Sequence, residues 1–168
     1  MTEHWRFPDL PEITKGQILL RKICISDAED LLECLSDPAV TERMMHCPVN
    51  TLSNMKKRID AYLREYENHA GARFGVVSRE TGKMIGSVML TPIQYPARAM
   101  LGFYVNRAYW GSGFAKDMVC AAINFGFSQA GLQRIEANCF VENIASARVM
   151  ERAGMQCEGC LLYTSRCV

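Results

Sequence analysis

The chain has 168 residues, 49% of them hydrophobic, and a formal charge of +1 from 19 basic and 18 acidic side chains. That composition suits one ordinary globular domain with a real core. With no long run of one charge sign it offers no nucleic-acid surface, and no stretch reaches the roughly 18 apolar residues of a membrane span or resembles a signal peptide. A cytoplasmic location is therefore expected, and the eight cysteines, at scattered spacings, are read as reduced thiols packed as small hydrophobes. Cys157 and Cys160 form a CxxC without a second pair, so no metal site is expected.

In chain order, the start through Gly16 is polar and proline-bearing, and "ILLRKI" (18–23) predicts the first strand. "SDAEDLLECL" predicts a helix that Ser26 and Glu29 begin as a capping box. Pro38 and Pro48 bracket a loop, and Met55, Ile59, Leu63 and Tyr66 recur at helical spacing over 52–68. The period then changes to two: "RFGVVS" and "MIGSVMLT" flank "RETGK" as a hairpin. The prolines of "PIQYPA" interrupt regular structure, and "AMLGFYV" (99–105) predicts a strand with Leu101, Phe103 and Val105 on one face. "AKDMVCAAINFGFSQA" predicts a helix ending before Gly131, "LQRIEANCF" a strand alternating Ile135, Ala137 and Cys139, and "NIASARVMERA" a helix stopping at Gly154. A final strand completes an α/β (α+β) layer structure with one mixed sheet and helices on its faces.

Residues 160–168, "CLLYTSRCV", are irregular where further strands are expected. With a stop they can be written TGTCTCTTATACACATCT followed by AGATGTGTATAA, largely one sequence and its own reverse complement. This resembles the mosaic end of a transposase sequencing adapter read head to head. The expectation is a non-native tail at 160–168, a domain over 1–159, and native C-terminal strands missing.

The chemistry concentrates in "YVNRAYWGSGFAKD", where a strand ends in a glycine-bearing turn that feeds a helix. A helix's first turn has unpaired N–H groups and a positive dipole end, and Gly111 and Gly113 leave room for an anion there. The stretch lacks the third glycine of a dinucleotide fingerprint and the Gly-Lys-Ser/Thr of a triphosphate loop. Two glycines alone also suit a plain strand-to-helix turn. Asn143 suits a helix N-cap. His4, His46 and His69 lie in or near loops at no common spacing, as solvated histidines do.

"GFYVNRAYWGSGFAKD" together with "RIEANCFVENIASARVMERAGM" resembles the GCN5-related N-acetyltransferase (GNAT) family, in particular its ribosomal-protein alanine N-acetyltransferase branch. The likeness runs from "ILLRKI" through "DPAVTERM" and "ETGKMIGSVML" to "GMQCEG". The family's Q/R-x-x-G-x-G/A motif falls on Trp110, Gly111, Ser112, Gly113, Phe114 and Ala115, with Trp110 in first place. The resemblance implies a mostly antiparallel sheet in which "MLGFYV" and "RIEANCF" splay apart. It implies acetyl-CoA as acyl donor, no metal, and an amine acceptor that is a peptide N-terminus or a small molecule such as a polyamine, amino acid or aminoglycoside. The pyrophosphate would lie on the amides of Gly111 through Lys116, and the pantetheine arm would pair with the backbone around Tyr104 and Val105. Asn143 and Ser146 match positions that touch the arm.

In direct attack an amine adds to the thioester carbonyl, charge grows on oxygen, and a thiolate leaves. A backbone N–H near Val105 is the expected oxyanion donor, and Ser146 the candidate thiolate partner, although an ordinary helix serine is equally consistent. In the branch that uses a glutamate base and a tyrosine acid, those positions align with Asn138 and Met150, which serve neither role, so no general base is assigned. A carboxylate that some relatives carry after "EG" would fall within 160–168. The bland reading of Cys139 is an inert thiol, and of Trp110 a packing residue that closes the turn. A non-catalytic acyl-CoA-binding module is the contrasting expectation.

Overall fold

Alternating apolar residues dictate one sheet, β1 (Ile13–Lys15), β2 (Ile18–Arg21), β3 (Ala72–Ser78), β4 (Met84–Gln94), β5 (Arg98–Val105) and β6 (Arg134–Glu136). Strands pair in that order, antiparallel except for the parallel pair β5–β6. The helices are α1 (Ala28–Ser36), α2 (Pro38–Thr41), α3 (Leu52–Glu67), α4 (Phe114–Ser128) and α5 (Ile144–Arg152). The structure, a computed structural model, describes residues 9–42, 44, 48–94 and 98–160. His4, His46 and the tail from 161 lie outside the described residues.

The pleat sends successive side chains to opposite faces and so makes two cores. On one face Ile18, Leu20, Phe74, Val88, Leu101 and Val105 pack against Met118, Val119 and Phe125 of α4. Phe125 meets Phe74 edge to face with ring centroids 5.2 Å apart. Burying side chains of this size is favourable by about 1.5–3 kcal/mol each, which holds α4 to the sheet. On the other face Val77, Met84 and Tyr104 pack against Leu31, Leu35, Met55 and Ile59 of α1 and α3. The Tyr66 hydroxyl at the end of α3 donates to the Arg73 carbonyl at 2.7 Å and accepts the Ile23 N–H at 3.1 Å, joining that helix to β3 and to the segment that follows β2.

Several elements differ from the sequence reading. The polar start contains β1, which pairs with β2 across a turn at Gly16. The cap ahead of α1 is not Ser26–Glu29: Asp27 accepts the Cys24 N–H at 2.8 Å, because its carboxylate is also gripped by Arg21, and a short 3-10 turn over Ile25–Asp27 precedes the helix. Between Pro38 and Pro48 lies the one-turn α2, where Asp37 accepts the Ala39 N–H at 2.8 Å and Pro38 stands where a missing N–H costs nothing. β4 runs through Pro92, because Pro92–Ala99 is a non-bonded pair with β5 and β3 ends opposite Leu90, so the missing N–H faces no partner strand. β6 is three residues long, and 155–160 carry no strand.

Candidate active site

The site begins where β5 and β6 stop being neighbours. Arg98, Ala99 and Met100 pair with Arg134, Ile135 and Glu136, and from Leu101 onward β5 has a partner only in β4. Ile135 and Ala137 still pack toward α4, while Asn138 and Cys139 are exposed along the departing chain. A gap therefore opens beside the second half of β5.

The ladder decides which backbone groups line that gap. The Asn106 N–H donates to the Ile85 carbonyl at 2.7 Å, and the register pairs Tyr104 with Ser87. Antiparallel pairs alternate between bonded and non-bonded, so Tyr104 directs its N–H and C=O into β4, while Phe103 and Val105 direct theirs toward the gap. Of the strand residues singled out in the sequence, Val105, with Phe103 beside it, turns its backbone groups to the gap, and Tyr104 turns its own to β4. The Tyr104 side chain points into the α1–α3 core, where burial pushes its phenol well above its ordinary value. Its hydroxyl has no hydrogen-bond partner among the described residues.

After Val105 the chain folds into a tightly bonded loop. The Asn106 side chain accepts the Ala108 N–H at 2.9 Å and donates to Glu33 of α1 at 3.0 Å. The Trp110 indole N–H donates to the Val105 carbonyl at 2.9 Å, and the Ser112 hydroxyl donates to the Tyr109 carbonyl. Gly111 and Gly113 follow at φ of 80° and 88°, a region in which a Cβ is strained. A Cβ built on either would meet nothing within 4 Å, so the turn needs glycine for its backbone while the space in front stays open.

Gly113 is the N-cap of α4 and supplies no capping side chain, and the Asp117 N–H closes the first helical bond on the Gly113 carbonyl at 3.2 Å. The N–H groups of Phe114, Ala115 and the exposed Lys116 therefore begin the helix without intrahelical acceptors, at its positive end. An open, uncapped helix start next to a free strand edge fits a ligand with an anionic end and an amide-bearing arm.

Across the gap, Asn143 caps α5, accepting the Ser146 N–H at 3.2 Å. Ser146 is half-buried. Met150 is half-buried one turn further on. Glu136, at the base of the gap, is gripped by Arg134 at 2.6 Å and Arg98 at 3.0 Å, and those bonds hold its carboxyl below its ordinary value. Although Cys139 is exposed, desolvation by its neighbours first, then Cys157 and Cys160, push its thiol up from its ordinary value. No group of three or more His, Cys, Asp or Glu among the described residues is arranged to hold a metal ion.

The profile of the acetyltransferase (GNAT) domain family matches residues 17–156. The chain is 30% identical over 152 residues to the uncharacterized N-acetyltransferase YoaA of Bacillus subtilis, covering 90% of this chain and 86% of that one. Among solved structures, a GNAT-family acetyltransferase from Bacillus anthracis superposes with a TM-score of 0.79 at 26% identity, over 89% of this chain and 86% of that one. RimL, a ribosomal L7/L12 alpha-N-protein acetyltransferase in complex with coenzyme A, superposes with a TM-score of 0.82 at 18% identity, over 93% and 90%; at that identity the likeness is one of fold.

Proposed function

The chain belongs to the GNAT acetyltransferase family, and on that premise we propose that it transfers the acetyl group of acetyl-CoA to a primary amine, a protein N-terminal amine in the leading reading. The observation that carries the reading is the uncapped start of α4, behind Gly111 and Gly113, next to the β5 edge that parts from β6. Acetyl-CoA supplies an activated acyl group. The amides from Gly111 to Lys116 hold its pyrophosphate, and the Phe103 N–H and C=O hold its arm. The Val105 N–H, directed into the gap, is the donor for charge developing on the carbonyl oxygen, worth about 3–4 kcal/mol in well-placed cases. The Ser146 hydroxyl serves the departing sulfur.

A thiol-release assay with acetyl-CoA against N-terminal peptides, polyamines, amino acids and aminoglycosides tests this. Release with peptides supports the leading reading, and release with small amines alone moves the acceptor to that class. A second reading, an acyl-CoA-binding module without turnover, is favoured by the restrained Glu136 carboxylate and by Asn138 and Met150, which cannot accept a proton from the amine. Acetyl-CoA binding without thiol release across the whole panel would select it.

A further inference from the structure

We propose that Trp110 is a positioning residue that fixes the spacing between the two halves of the acetyl-CoA site, the β5 edge and the α4 N-terminus. The inference rests on the acetyl-CoA reading above. The indole is 52% exposed, yet its N–H is directed inward onto the Val105 carbonyl at 2.9 Å. Val105 is the last residue of β5 and faces the gap, so this bond closes its carbonyl and makes the Val105 N–H the last open group of the edge.

Trp110 also directly precedes Gly111, and two residues at positive φ lie between it and α4. Glycines there accept the turn but do little to hold it, because without side chains many backbone conformations are close in energy. The core side chains of α4 hold its body to the sheet, and what anchors residue 110 sets how the turn and the first N–H groups of the helix lie against the strand end. The backbone N–H of Trp110 bonds to Arg107 at 3.1 Å, within the loop, whereas the indole reaches back to the strand itself. A ligand whose arm lies on one half and whose phosphates lie on the other gains from each contact only if the spacing is already right. The indole bond sets that spacing before the ligand arrives.

Trp110→Phe keeps the aromatic ring and removes the donor. By calorimetry on the full chain, acetyl-CoA should bind about fivefold more weakly, the worth of one neutral hydrogen bond. The fragment 3′-phospho-ADP uses only the helix half and should change less than twofold. An equal loss for the fragment would mean that the turn itself is damaged, and would overturn the linking role. Unchanged or tighter acetyl-CoA binding would overturn it as well. If the wild-type chain binds neither ligand, the acetyl-CoA reading itself falls, a failure visible before any variant is made. Should the variant not fold, exchange of the Trp110 indole N–H in the wild-type chain decides: it should be slower with acetyl-CoA bound than with 3′-phospho-ADP, and equal or faster exchange refutes the proposal.

Discussion

Replacing Gly113 by aspartate and by asparagine separates the charge at the α4 N-terminus from its shape. Gly113 has φ 88° and ψ −10°, and its Cβ position is open, so either substitution strains the backbone without a clash. That strain is about 1–2 kcal/mol for a typical L-residue and less for Asp or Asn, which enter the left-handed region more readily. For Asp, a carboxylate at a helix N-terminus returns about 0.3–1 kcal/mol. Both variants should therefore fold. A carboxylate about 4 Å from one phosphate charge is opposed by about 1 kcal/mol at bulk-water screening and about 4 kcal/mol at the screening typical of a protein surface. Two phosphate charges, the second farther away, place the loss between about 1 and 2 kcal/mol in the first limit, or about 5- to 30-fold, and several kcal/mol in the second. The expected outcome is acetyl-CoA binding weakened about 100-fold or more by Gly113→Asp and only a few-fold by Gly113→Asn, measured by calorimetry. The gap between them should narrow as salt is added. Equal affinities for the two folded variants would refute the placement of the pyrophosphate on this turn.

Asn143→Ala removes the α5 cap and should cost about 1 kcal/mol in a denaturant titration, together with weaker acetyl-CoA binding; a stability loss alone would leave Asn143 only its cap. Ser146→Ala should lower turnover at saturating acetyl-CoA while affinity stays nearly constant, because the thiolate exists only as the bond breaks; equal turnover with chemistry rate-limiting removes the assignment. Asp27 predicts an acid limb. Burial opposes its charge, but Arg21, bonded to both carboxylate oxygens at 2.8 Å, and the Cys24 N–H outweigh burial and hold the carboxyl below its ordinary 3.8. With the folded value lowered, this stability is present above the unfolded value and is lost as pH falls through the folded one. The urea midpoint of the wild-type chain should drop below about pH 4, and Asp27→Asn should show a flatter profile there.

Local chemistry made much of this protein legible in its sequence. Helical spacing located α3 and α4, period-two alternation located the β3–β4 hairpin, and "NRAYWGSGFAKD" marked a glycine turn feeding a helix, because each signal depends on residues a few positions apart. The Asn106 bond to Ala108 was equally local and could have been found as a side-chain turn cap. What remained hidden depends on which groups the folded backbone brings face to face. Asp27 displaced the Ser26–Glu29 cap because Arg21 holds it from a neighbouring strand. Pro92 could stay in β4 because its missing N–H faces an edge that β3 does not reach. Phe103, and not Tyr104, lines the gap because the bonded pairs with β4 set which edge each backbone group faces, and no property of either side chain states that. The bond from Trp110 to Val105 exists only because the loop folds back on its own strand. Composition and spacing thus determined which elements form, whereas the pairing of β5 with β4 on one side and its parting from β6 on the other decided where a ligand can enter.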